Sequence, residues 1–379
     1  MLGAGTIAEL ALVRGVSAAG YEPWVVTWNR QGPAAHTRSA AGIVVVPPPS
    51  REPAELMRRL AEAARRLGAA AVLPGTEAAL LLLSEAAERF DPEVAIGCPS
   101  RASVLRATDK RSVNEAAERA GLRVPPTGRP TAETEFPAVV KPARSEHSEP
   151  DGRLRHLEVR RVSDDIELRA AVASMPGEAL VQPYLPAPIR TLNGIAWQGE
   201  LVACVHQRAD RIWRPDCGVL CAAHTVPRDL ELERRGALLL ADLQWSGMFN
   251  MQFLQHDGTP LLIDLNPRPY QSLALAIAAG ANLPAIWVDL LLGRAPRLDG
   301  YRVGVRWRHL RDDLLAIIAA TRSGDRRAVG RDIFPRPGTV PAVFSVRDPV
   351  PTLSMVKQDL SRLLRRVTGR SVDEPWGGD

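Results

Sequence analysis

The run "FNMQFLQHDGTPLLIDLNPR" (residues 249–268) gathers oxygen-bearing side chains at strand-like spacing. Its two apolar-rich arms flank Asp257, Gly258 and Thr259 and read as a β-hairpin. Alternate residues of a strand share a face, so Asp264 and Asn266 point the same way, as do Asn250 and Gln252 on the other arm. A three-residue Asp-Gly-Thr loop, with Gly258 in the left-handed conformation, pairs His256 with Pro260 and sets Gln252 opposite Asp264. A two-residue Asp-Gly loop would place them on opposite faces, so an odd-numbered loop is predicted. Gln252, Asp264 and Asn266 would then present hard oxygen donors suited to Mg²⁺ or Mn²⁺. Arg268, just beyond, could clamp a transferring phosphoryl group. The same residues also fit an ordinary strand end at which Asp-x-Asn-Pro opens a turn.

The lysines favour the metal and phosphate reading. The chain has 48 lysines and arginines together, yet only Lys110, Lys141 and Lys357 are lysine. A compact ammonium on phosphate is one reason to keep lysine where arginine is the rule. Lys141 ends the β-rich run "AVVKP", and Lys110 opens a helix after "TD", both upstream of the hairpin.

These groups need elements to hold them. Residues 1–100 alternate strand and helix: "WVVTW" and "GIVVVPP" are strands, and Leu56, Leu60, Ala63, Ala64 and Leu67 mark one face of a helix ending at Gly68. "AAAVLPG" is a short buried strand, and a helix follows Thr76. Residues 101–300 bring a helix ending at Gly121 and the strand "FPAVVKPA". The strand "EALVQPYL" comes next, then a hairpin about Gln198-Gly199, a helix ending near Gly247 and the 249–268 hairpin. Residues 301–379 read as amphipathic helices around a Pro-rich loop.

The order Asp109-Lys110, "FPAVVKP", "ALVQPYLP", "GMFNMQFL…LLIDLNPRP" resembles the ATP-grasp superfamily over roughly residues 1–295. Its last hairpin is similar to the ATP-binding halves of carbamoyl-phosphate synthetase and biotin carboxylase. The resemblance implies an α/β (α+β) fold. A Rossmann-like pre-ATP-grasp unit (1–100, its first strand truncated) precedes an ATP-grasp fold of two α+β subdomains (101–300, lid about 124–185). It implies Gln252, Asp264 and Asn266 on metal, Arg268 on the phosphoryl group, and Lys110 and Lys141 on the phosphates of ATP. Gln182, Pro183, Tyr184 and Leu185 match the adenine linker, and Arg208 is a further ATP contact in a strand expected to face the phosphates.

Three departures stand out. The lid "ARSEHSEPDGRLRH" carries one glycine, no acid stands near Ile189-Arg190 for the ribose, and Asp264 replaces a longer glutamate. The implied activity is a ligase. A carboxylate takes the γ-phosphate of ATP as an acyl phosphate, and an amine or similar nucleophile displaces it, releasing ADP and phosphate. "LPGTE" (Leu73 to Glu77), "NPRPYQS" and "AHTV" are candidates to line the substrate pocket.

The chain also opens with Gly3-Ala4-Gly5-Thr6-Ile7-Ala8, a G-x-G-x-x-A form of the dinucleotide fingerprint. An NAD(P)-dependent oxidoreductase is therefore the rival, and a nucleotide-binding protein without catalysis the third reading. Only Met1 and Leu2 precede the fingerprint, and the next strand ends in Asn29-Arg30 with no ribose-binding acid. The glycines could instead serve a turn, or seat a substrate carboxylate at the helix N-terminus.

Charge is mixed along the chain at net +5, which argues against a nucleic-acid groove. Cys217, Cys221 and His224 weakly suggest zinc, against spare thiols in a reducing, cytoplasmic setting. The apolar run 273–293 is interrupted by Gly280, Asn282, Pro284 and Asp289, so two buried helices are expected rather than a membrane span. Small-molecule carboxylate and amine partners are expected, and a homodimer is left open.

Overall fold

A very short first strand starts a parallel sheet. In the computed structural model, which describes residues 1–324 and 335–367, Leu2–Gly3 pairs with Trp24–Thr27, and that strand with Gly42–Val45. On its other side Leu2 bridges Pro74, and the Gly75 N–H donates to the Leu2 carbonyl at 2.7 Å. This joins the parallel pair Ala71–Val72 and Ala95–Ile96 to the same layer. Helices Ile7–Ala18, Pro53–Arg66 and Glu77–Glu85 accompany the sheet. Their starts are legible: Thr6 accepts from Glu9 N–H, Thr76 from Ala79 N–H, and Pro53 is a first helical residue with no N–H to waste. Helix Pro53–Arg66 buries Leu56, Met57, Leu60 and Ala64 in the sheet's hydrophobic cluster.

Residues 101–119 form two helices, Arg101–Ala107 and Lys110–Arg119, rather than one. Asp109 breaks the run because its carboxylate accepts from the N–H groups of Arg111 and Ser112 and caps the second helix. Beyond them lies a small antiparallel sheet in the order Ala179–Pro183, Ala138–Pro142, Arg160–Val162, with helix Asp165–Ala173 against it. A separate hairpin, Glu146–Ser148 with Leu154–His156, falls in the stretch expected to be the lid.

The large sheet runs Thr259–Asn266, Gly247–His256, Ile189–Trp197, Glu200–Trp213, Val219–Thr225, Arg306–Arg308, Val340–Pro341. All its pairs are antiparallel except the last. One face packs Leu192, Phe249, Met251 and Phe253 on the helices Arg101–Ala107, Lys110–Arg119 and Leu230–Asp242. The other packs Ile195, Val205 and Met248 on Leu12, Leu273, Leu283 and Trp287. The apolar run 273–293 is two helices, Leu273–Ala279 and Leu283–Leu291, broken at Gly280, whose φ of 114° suits only glycine. Among the described residues no single helix is long and apolar enough to cross a membrane. The large sheet also continues past residue 300, which the sequence read only as helices and loop. Helices Leu310–Arg322 and Val350–Val367 complete the described chain.

Candidate active site

The 249–268 hairpin puts Gln252 opposite Asp264 and Asn250 opposite Asn266, as the chemistry requires. It does so by a different route from the predicted one. The turn is the two-residue Asp257-Gly258, with φ of 47° and 76°, and His256 pairs with Thr259. A β-bulge between Gln252 and Phe253 then restores the register, because Ile263 is an extra residue facing no partner. The bulge also has a use: the Ile263 carbonyl accepts a 2.9 Å hydrogen bond from the Lys141 ammonium. Lys141, on the small sheet, thereby meets the edge strand of the large one.

The orientation of the amides follows from a chain of hydrogen bonds anchored on backbone. The Asn193 amide nitrogen donates to the Val205 carbonyl at 3.2 Å and to Thr191 Oγ1 at 2.8 Å. Its oxygen therefore faces Asn250, whose amide nitrogen donates to it. That leaves the Asn250 oxygen to accept from both Gln252 Nε2 and Asn266 Nδ2, each at 3.2 Å. Both amides thus turn nitrogen inward and leave oxygen for the site. Asn266 Nδ2 also meets one oxygen of Asp264 at 3.2 Å. The free donors on this face are oxygens with one carboxylate among them, and this set fits Mg²⁺ or Mn²⁺ better than a soft metal.

Around these ligands sit cations from other elements. Lys110 opens its helix and donates to Ser145 Oγ at 2.9 Å. Lys141 is buried, and burial lowers its ammonium to about 8, with Asp264 opposing the shift and Lys110 adding to it. A phosphate would restore the lost counter-charge. Arg268 is half-buried beyond Asn266, with Nη1 3.1 Å from the Pro269 carbonyl. One cavity is shared by Glu77, Thr108, Lys110, Lys141, Ser145 and Asp264. Gln182 lines it too, but its side chain is buried and donates to Thr127 Oγ1 at 2.8 Å. Pro183 and Tyr184 continue that strand end, the Tyr184 N–H donating to the Pro137 carbonyl, with Leu185 following half-buried. Arg161 lies over the Tyr184 ring at 4.5 Å.

Arg208 is a correction. It pairs with Arg190, which pairs with the core residue Phe253, so all three lie on the sheet face opposite Gln252, Asp264 and Asn266. Its neighbour Gln207 takes the ligand face, buried and accepting from Ser272 Oγ. The residues that sequence reasoning left without a role are Asn193, Asn250 and Gln207. Asn250 had a signal, since it alternates with Gln252, whereas Asn193 needed the cross-strand register.

The N-terminal turn is filled by the chain itself. Glu9 accepts from the N–H groups of Ala4 and Gly5 at 2.9 and 2.8 Å, and from Thr6 Oγ1 at 3.3 Å. Side chains at Gly3 or Gly75 would meet Glu9 within 2.5 Å. Burial pushes the Glu9 carboxyl up, and those backbone bonds oppose it. The anion seat that a pyrophosphate or a substrate carboxylate would use is therefore taken, which counts against the nicotinamide reading. Among the described residues, the thiol, imidazole and carboxylate groups brought together are Cys204, His206 and Glu233, within 4.8 Å, not Cys217, Cys221 and His224. Arg228 pairs with that Glu233, which disfavours a cation there.

A family model described as "ATP-grasp in the biosynthetic pathway with Ter operon" matches residues 176–311. No curated protein matches the sequence. Among solved structures, N5-carboxyaminoimidazole synthetase from Staphylococcus aureus superposes with a TM-score of 0.60 at 13% identity, covering 85% of each chain. Biotin carboxylase from Campylobacter jejuni, in a β,γ-ATP complex, gives 0.60 at 15% identity, covering 80% of this chain and 73% of its own. The L-amino acid ligase from Bacillus licheniformis gives 0.57 at 15%, covering 77% and 73%. The family match covers residues 176–311, and the likenesses show that the fold is shared over most of the chain.

Proposed function

From this ATP-grasp fold, we propose that the chain is an ATP-dependent ligase. It activates a small-molecule carboxylate as an acyl phosphate and joins it to an amine, releasing ADP and phosphate. The observation that carries the reading is the single oxygen face of Gln252, Asp264 and Asn266, tied through the Ile263 carbonyl to Lys141. Lys110 and Lys141 would hold phosphate oxygens, and Arg268 would neutralise charge on the transferring group. The strand end at Gln182, Pro183, Tyr184 and Leu185 would offer adenine its backbone groups. A divalent cation held by Gln252, Asp264 and Asn266 would supply charge neutralisation between phosphate oxygens. The protein otherwise works by positioning, and the buried relay keeps its ligand oxygens preorganised.

The test is incubation with ATP, Mg²⁺ and pooled carboxylates and amines, following ADP and phosphate. Turnover that falls at least about a hundredfold in Asp264→Ala is expected, since a mispositioned charge clamp costs that order. Absence of turnover with every pool, together with NADH binding, would sink the reading.

A further inference from the structure

Glu77 is a carboxylate in this cleft that the ligase reading leaves unused. It is the first residue of helix Glu77–Glu85, so the N-terminal unit contributes it. The residue is 8% exposed, and its Oε1 is buried with no hydrogen-bond partner. A buried acceptor without a donor costs free energy, so its retention beside the lysines calls for a ligand that brings a donor. Glu77 shares its cavity with Lys110, Lys141, Ser145 and Asp264. The charged groups that act on it are Lys110, Arg268, Glu146 and His156. Burial dominates them and lifts its carboxyl to about 7, close to the value that suits a proton acceptor at neutral pH.

The position matters as much as the chemistry. An acyl phosphate made beside Lys110, Lys141 and Arg268 must be attacked from a side the nucleotide leaves open. Glu77 lines the cavity from the N-terminal unit, and Asp264 lines it from the hairpin that would carry the metal.

We propose that Glu77 receives the amino group of the second substrate, pairing with its ammonium and taking the proton it must lose before attack. This deepens the ligase reading and rests on it. The ammonium gives one proton to the Glu77 carboxylate, and the freed lone pair forms the C–N bond. The C–O bond to phosphate breaks, phosphate leaves with that electron pair, and the second nitrogen proton goes to the departing phosphate. The nucleophile is therefore an amine of ordinary basicity, not an alcohol, thiol or bicarbonate.

Hydroxylamine provides the test, because it is uncharged at neutral pH and needs neither an ammonium partner nor a base. Wild type and Glu77→Gln are given ATP, Mg²⁺ and the pool of amine-free carboxylates, with either hydroxylamine or the amine pool as nucleophile. Hydroxamate formation by Glu77→Gln should stay within about threefold of wild type, while amine-dependent ADP release falls about a hundredfold or more. Equal loss with both nucleophiles, or undiminished amine coupling, would overturn the proposal. Wild type that makes neither hydroxamate nor ADP overturns the ligase reading itself, and this one with it. Melting and Mg²⁺–ADP binding of the variant check that it folds.

Discussion

Two buried asparagines decide which atoms the hairpin presents. Asn193 and Asn250 are 0% and 4% exposed, and neither reaches the cleft through a free atom. Asn250→Leu removes the acceptor that holds the amides of Gln252 and Asn266, leaving both free to turn nitrogen outward. It also strands the Asn193 oxygen, a loss of roughly 1–3 kcal/mol in stability. The expected signature is selective: ADP affinity without metal stays near wild type, while its enhancement by Mg²⁺ disappears, read by calorimetry with and without chelator. Equal weakening under both conditions would mean a merely structural role. Glu77 yields a second prediction, in pH. Its carboxyl rises from an ordinary 4.5 to about 7 in the folded chain. A raised carboxyl leaves stability intact below about 4.5 and withdraws it as pH climbs through 7, by roughly 3 kcal/mol when complete. Glu77→Gln should therefore melt higher than wild type at pH 8 and no higher at pH 4.

At the scale of elements, the sequence was readable wherever periodicity and turn chemistry agree. The hairpins at Gln198-Gly199 and about Gly258, the capped helices after Thr6 and Thr76, and the broken apolar run at Gly280 all follow local rules. What failed was parity. The odd-loop argument was sound for a regular ladder, but a bulge at Ile263 changes the count by one, and a bulge leaves no local mark in the sequence. Arg208 was expected from the resemblance alone, and only the cross-strand register shows that Gln207 takes the ligand face. Strand Arg306–Arg308 was invisible for another reason: three residues carry too little alternation to announce themselves, and their partner Val219–Thr225 lies some eighty residues upstream. Glu9 was passed over in the sequence, although it is the fourth residue of a Thr-x-x-Glu pattern whose side chain folds back on the turn.

For the molecule as a whole, parts far apart in sequence meet at the hairpin expected to be the lid. Leu154, in the lid hairpin, is buried in the hydrophobic cluster of the N-terminal unit with Val46 and Leu56. Its N–H donates to the Pro49 carbonyl at 3.0 Å. The lid's Glu146 and His156 pair at 2.9 Å; burial disfavours charge on the imidazole, but Glu146 outweighs it and raises its pKa. A two-stranded hairpin has little stability alone, so this one depends on its leucine anchor. Truncating a buried leucine to alanine typically costs about 2–5 kcal/mol, more than such a hairpin can hold back. Leu154→Ala should therefore open the lid locally rather than unfold the protein. Proteolysis and amide exchange should rise within residues 146–157, the melting temperature should move little, and bound ADP should leave faster. A large fall in melting temperature with no local change in exchange would instead make the lid part of the cooperative core. The access of substrates would then need another moving element.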